Sequence, residues 1–64
     1  MCQTSVMLTK GGDEELLLEN VTALEVLEDG LKITSLFDGT RTINGVAISR
    51  IDFNDGKVFL KETR

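Results

Sequence analysis

Apolar and polar residues alternate along most of this chain in short runs. Leu31, Ile33, Ser35 and Phe37 share one face, with Lys32 and Thr34 on the other. Ser49, Ile51 and Phe53 alternate with Arg50 and Asp52, and Val58 and Leu60 alternate with Lys57, Phe59 and Lys61. At the start, Thr4, Val6 and Leu8 fall on one face, with Cys2 in the same register, so a strand is expected over residues 2–9. A period of two, enriched in β-branched and aromatic residues, is the pattern of half-buried strands. Between the runs lie the turn dipeptides Gly11-Gly12, Asp29-Gly30, Asp38-Gly39, Asn44-Gly45 and Asp55-Gly56, and no proline interrupts any run. The segment 13–29 reads two ways. Asp13 suits a helix N-cap, Glu14 and Glu15 its first turn, Gly30 its C′ position, and Leu17, Val21 and Leu24 have helical spacing. Against this, Glu19-Asn20 looks like a turn, and Leu24 and Val26 alternate with Glu25 as strand residues do. The expected fold is all-β: six to seven short strands in a small, strongly bent antiparallel sheet closing towards a barrel, as a single domain over residues 1–64.

Length sharpens this picture. A chain of 64 residues buries only roughly 60% of the surface its unfolded form exposes. Such small scaffolds lean on a disulfide, a metal, a partner subunit or an unusually well-packed core. A single cysteine excludes an internal disulfide, and a homodimer is the commonest association of soluble chains. No basic start followed by an apolar run marks a secretory leader, and no segment reaches transmembrane length. One unpaired cysteine fits a reducing compartment, so a cytoplasmic, membrane-free protein is expected. The net charge of −4 repels a phosphate backbone. Seven scattered basic residues, three Phe and no Tyr or Trp offer neither a basic stripe nor a stacking platform, so nucleic acid is an unlikely partner.

Histidine is absent, which removes the usual general base, the common nucleophile pairs and the commonest metal ligand. No enzymatic activity is expected. Asp52 and Asp55 flank Asn54 and resemble a fragment of a calcium loop, but Thr63 stands where the bidentate Glu belongs, and a hairpin turn explains the run. Asp13, Glu14 and Glu15 read as a solvated face, and Arg41 and Arg50 as surface charges able to pair across strands. Gly11-Gly12 lacks the spacing and the Lys-Ser/Thr of a phosphate loop.

Cys2 is the one thiol. A free cysteine is most often a small buried hydrophobe. Here, however, the thiol adjoins the terminal residue Met1, so amine nitrogen, backbone amide nitrogen and thiolate sulfur can form one chelating unit. Planar N and S donors favour Ni(II) or Cu(II), whereas closed tetrahedral thiolate sites favour zinc. One chain supplies too few ligands. In a two-fold dimer with both N-termini at the axis, two thiolates and two nitrogens complete a four-coordinate site with one metal per dimer.

Met1-Cys2, the run Val6-Met7-Leu8-Thr9, the central Leu31-Lys32-Ile33-Thr34-Ser35-Leu36-Phe37 and the later Ile48-Ser49-Arg50-Ile51-Asp52 together resemble the CooT family of small nickel-binding accessory proteins, over essentially the whole chain. The resemblance implies a small β protein, homodimeric, that binds Ni(II) at the dimer interface, with Cys2 as key ligand beside Met1. The implied role is nickel delivery in the maturation of a nickel enzyme, carbon monoxide dehydrogenase in the founding context, with that enzyme or its maturation machinery as partner. The family's pattern over the two-way segment is β, which implies strands at Glu15–Glu19 and Thr22–Glu28. Because the thiol must deprotonate, binding is expected to weaken at lower pH, and Cu(II) to bind at least as tightly as Ni(II). The alternative is an RNA- or protein-interaction module on a small β-barrel. Proteins of this kind have been labelled RNA-binding, a reading that rests on fold analogy and that the charge opposes.

Overall fold

Seven strands of six or seven residues make up the computed structural model, which describes residues 3–63: β1 (Ser5–Lys10), β2 (Asp13–Leu18), β3 (Val21–Val26), β4 (Gly30–Ser35), β5 (Gly39–Asn44), β6 (Val46–Asp52) and β7 (Lys57–Glu62). The described residues contain no helix, and so none long and apolar enough to cross a membrane. The segment that read two ways is β on both sides of Asn20, as the resemblance implied. Asn20 sits in the left-handed region at φ 56°, a conformation that asparagine tolerates better than most residues. The turn there ends β2 and starts β3.

The all-β expectation holds, but a single antiparallel sheet closing towards a barrel does not. The strands form two sheets, one in the order β2-β1-β7-β6 and one in the order β3-β4-β5, not closed on one another. Moreover, β1 pairs parallel with β7 while its other neighbour, β2, is antiparallel. The chain changes sheet at two tight corners, Glu19-Asn20 and Gly45, the latter at φ 77°. These corners turn the chain from one sheet to the other without carrying a ladder across, so four edges remain unpaired.

The core lies between the sheets. On the inner face of the four-stranded sheet, one row runs Leu18–Val6–Val58–Ile51 and the next Leu8–Leu60–Ile48. Leu31, Ile33 and Ser35 of β4 face them, all buried, as their alternation predicted. The Ser35 hydroxyl is satisfied by the Asp38 N–H at 3.1 Å. A β-bulge between Ile48 and Arg50 puts Ile48 and Ile51 on the inner face although they are three positions apart.

The outer face of this sheet carries the row Leu16–Met7–Phe59–Arg50. Phe59 alternates with Val58 and Leu60 as expected, yet it is buried. The Arg50 guanidinium lies 3.9 Å from its ring centroid and covers it as a cation–π lid. Strands β1 and β7 are thus apolar on both faces, the usual character of central strands covered from both sides.

Candidate functional site

The starts of β1, β3, β5 and β7 and the ends of β2, β4 and β6 gather at one end of the molecule, the N-terminal pole. Three backbone hydrogen bonds stitch it together. Ser5 N–H donates to Gly56 O at 2.8 Å, Val21 N–H to Thr4 O at 2.8 Å, and Leu36 N–H to Asn20 O at 2.8 Å. The entering chain is therefore held between the β6–β7 turn and the β2–β3 corner, and that corner holds the β4–β5 turn.

Gly56 makes the approach possible. It adopts φ 65°, and a Cβ there would lie 2.7 Å from the Gln3 carbonyl oxygen. Gly56→Ala combines left-handed strain with that collision. It is expected to lower unfolding free energy by about 2–3 kcal/mol, strain and overpacking together, read as a lower urea midpoint with unchanged slope. A midpoint equal to wild type would show that Gln3 is not held against the turn.

Beside Thr4 a groove of about 260 Å³ is lined by Ile51, Phe53 and Val58, with Asp52 and Lys57 at its rim. The expected ligands Cys2 and Met1 lie outside the described residues. Among the described residues no group of three His, Cys, Asp or Glu side chains could hold a metal ion. Asp52 and Asp55 serve the hairpin turn, as expected: the Asp55 N–H donates to Asp52 Oδ1 at 3.1 Å, and Asp52 Oδ2 lies 3.9 Å from Arg50 Nη1. Asp13, Glu14 and Glu15 are exposed on the edge strand β2, and Arg41 is exposed on the edge strand β5. At the opposite end a wider groove of about 570 Å³ runs between Val26–Leu31 and Gly45–Ile48.

Two residues depart from the face assigned by alternation. Phe37 and Phe53 were expected on buried faces, yet they are 77% and 86% exposed. Each lies just past a strand end, in the turns 36–38 and 53–56. The signal was present: each phenylalanine immediately precedes its turn, in Phe37-Asp38-Gly39 and Phe53-Asn54-Asp55-Gly56. What alternation missed is that both belong to the pole where Thr4 and Ser5 are held.

Comparison with known proteins agrees with this architecture. A crystal structure of a protein assigned as CooT from Carboxydothermus hydrogenoformans superposes with a TM-score of 0.82 at 31% identity, covering 95% of this chain and 97% of that one. An uncharacterised protein of Methanothermobacter thermautotrophicus is 34% identical over 61 residues, 95% of this chain and 89% of the relative. The family model described as CO dehydrogenase accessory protein CooT matches residues 1–61. With that match running nearly end to end, the chain belongs to the CooT family of CO dehydrogenase accessory proteins.

Proposed function

We propose that this protein is a homodimeric Ni(II) carrier that supplies nickel during maturation of a nickel enzyme such as carbon monoxide dehydrogenase, in the cytoplasm. Nickel is its cargo, held one ion per dimer by Cys2 of each copy with nitrogen from the Met1–Cys2 segment. One observation carries this reading. The family match begins at residue 1, so it includes Met1-Cys2, the segment with the chain's only thiol, in a chain without histidine.

The geometry supports it. The chain enters β1 between two backbone hydrogen bonds made by Thr4 and Ser5, and the Met1-Cys2 segment precedes these residues in sequence with one position, Gln3, between. Two thiolates and two nitrogens from paired termini give a donor set suited to Ni(II). The role is accessory, with no catalytic group required.

Native mass spectrometry with and without Ni(II), on wild type and Cys2→Ala, tests this directly. The expected result is a dimer carrying one nickel, with the ion lost entirely in Cys2→Ala. One nickel per monomer, surviving Cys2→Ala, would overturn it. The same masses show whether Met1 is retained, and hence which amine serves as ligand.

A further inference from the structure

The groove of about 570 Å³ lies at the far end of the strands from Thr4 and Ser5, where the two sheets part. Buried Leu31 of β4 and buried Val46 of β6 line it, and Val26 stands 69% exposed at its rim. Two further lining positions, Gly30 and Gly45, carry no side chain, and Gly30 has no room for one. Backbone hydrogen bonds fix the walls. Leu27 N–H donates to Gly30 O at 2.9 Å, Gly45 N–H to Asp29 O at 2.7 Å, and Thr63 N–H to Gly45 O at 2.9 Å. The hollow is therefore shaped by main chain that is already paired. Its volume falls within the roughly 300–1,000 Å³ of ligand-binding pockets.

Charge at this groove has one sign. Glu28 and Asp29 line it, both exposed, and among the described residues no Lys or Arg does. Nor is either carboxylate in an ion pair among the described residues, whereas Glu25 pairs with Lys32 at 3.6 Å and Asp52 with Arg50 at 3.9 Å. An apolar hollow with an acidic rim selects its occupant. It repels nucleic-acid phosphates and anionic lipid headgroups. A second copy of this chain would bring the same carboxylates and a net charge of −4 to the contact. Lysine or arginine beside an apolar side chain complements both features at once.

We propose that this groove docks a basic, apolar segment of a partner protein. An aliphatic or aromatic side chain of the partner packs over Leu31 and Val46, and a neighbouring lysine or arginine faces Glu28 and Asp29. A partner seated here leaves the pole around Thr4 and Ser5 uncovered. The inference goes beyond the nickel reading and uses none of it.

Nitrogen–proton correlation spectra of the whole chain, at physiological salt and without Ni(II), test the proposal. The probe is a short amidated peptide alternating lysine with leucine. Its twins carry glutamate in place of lysine, or serine in place of leucine. The lysine–leucine peptide is expected to shift the amides of Val26–Leu31 and Gly45–Ile48 and to saturate below millimolar concentration. Each twin should bind at least about tenfold more weakly. Glu28→Lys/Asp29→Lys should lower affinity for the probe at least about tenfold, and Val26→Lys should lower it too. Asp38→Lys/Asp55→Lys makes the same change in net charge at the other pole. A six-residue strand spans about 20 Å, more than two Debye lengths of about 8 Å, so this control should stay within about twofold of wild type. All five substituted residues are exposed, so the fold is kept, as circular dichroism melting would verify.

No saturable binding, shifts centred elsewhere, or a glutamate twin that binds as tightly would each overturn the proposal. Equal losses in the two charge-reversed variants would do the same, by showing attraction to net charge alone. Groove amides that move with protein concentration before any peptide is added would assign the groove to a second copy instead. Because no nickel enters the experiment, its failure leaves the carrier reading standing. A chain that takes up no nickel likewise leaves the docking result intact.

Discussion

Replacing Gly30 with alanine is expected to leave most of the protein unfolded at 25 °C. Gly30 opens β4, buried, directly opposite Asn44 of β5. A Cβ at this position would collide with the carbonyl oxygen of Ile43, and would lie 2.8 Å from Asn44 Cα and 2.9 Å from the Ile43 carbonyl carbon. Every one of those atoms is backbone, so no side chain can swing aside. The surrounding backbone is also fixed: Leu27 N–H donates to Gly30 O at 2.9 Å, and Gly45 N–H to Asp29 O at 2.7 Å. Overpacking typically costs about 1–3 kcal/mol where side chains can yield. Against fixed backbone the cost reaches or exceeds the top of that range, while a core of this size supplies roughly 3–5 kcal/mol in all. Far-UV circular dichroism and urea titration give the measurement, with Gly39→Ala as reference. Gly39 has φ 76° but open space around it, so its alanine variant loses about 1–2 kcal/mol and stays folded. If the two variants melt together, the close approach of β4 to β5 is not what holds position 30 to glycine.

The contrast between these two glycines shows how far a sequence can be read. Both follow an aspartate and both look like turn residues. Only the pairing of Gly30 with Asn44 reveals that its requirement is space, not a left-handed backbone. The same boundary recurs elsewhere. Alternation correctly assigned Leu31, Ile33 and Ser35 to the core, and Val6 and Leu8 with them, because the face of a strand is a local property. Partner choice is not local, and the parallel pairing of β1 with β7 leaves no mark that differs from an antiparallel one. Bulges hide in the same way: the extra residue before Arg50 shifts register, so that Ile48 and Ile51 share a face. Phe37 and Phe53 were placed on faces of strands that had already ended. At the candidate site, Cys2 was legible from composition as the only thiol, whereas the hydrogen bonds that fix Thr4 and Ser5 join residues from 17 to 51 positions apart along the chain, Val21 to Thr4 and Ser5 to Gly56, which spacing cannot reveal.

Leu60→Ala is expected to destabilise the protein by about 2–5 kcal/mol, the range for truncating a fully buried leucine. Leu60 is completely buried in β7, between Leu8 of β1 and Ile48 of β6. It belongs to the same cluster as Leu31 and Ile33 from the facing sheet. The two sheets share no ladder, so this apolar contact is the main force holding one against the other. Removing its centre leaves a cavity between the sheets, and the strands around it are tied by backbone pairing that resists collapse into the space. For a chain with so small a core, the lower part of that range already populates the unfolded state noticeably. Val26→Ala provides the comparison: that residue is 69% exposed at the rim of the same sandwich, and its truncation should change stability by no more than about 0.5 kcal/mol. Urea unfolding followed by circular dichroism measures both. Equal costs for the two substitutions would mean that the sheets are not held together through Leu60. A large cost at Leu60 alone would locate the protein's stability between the sheets.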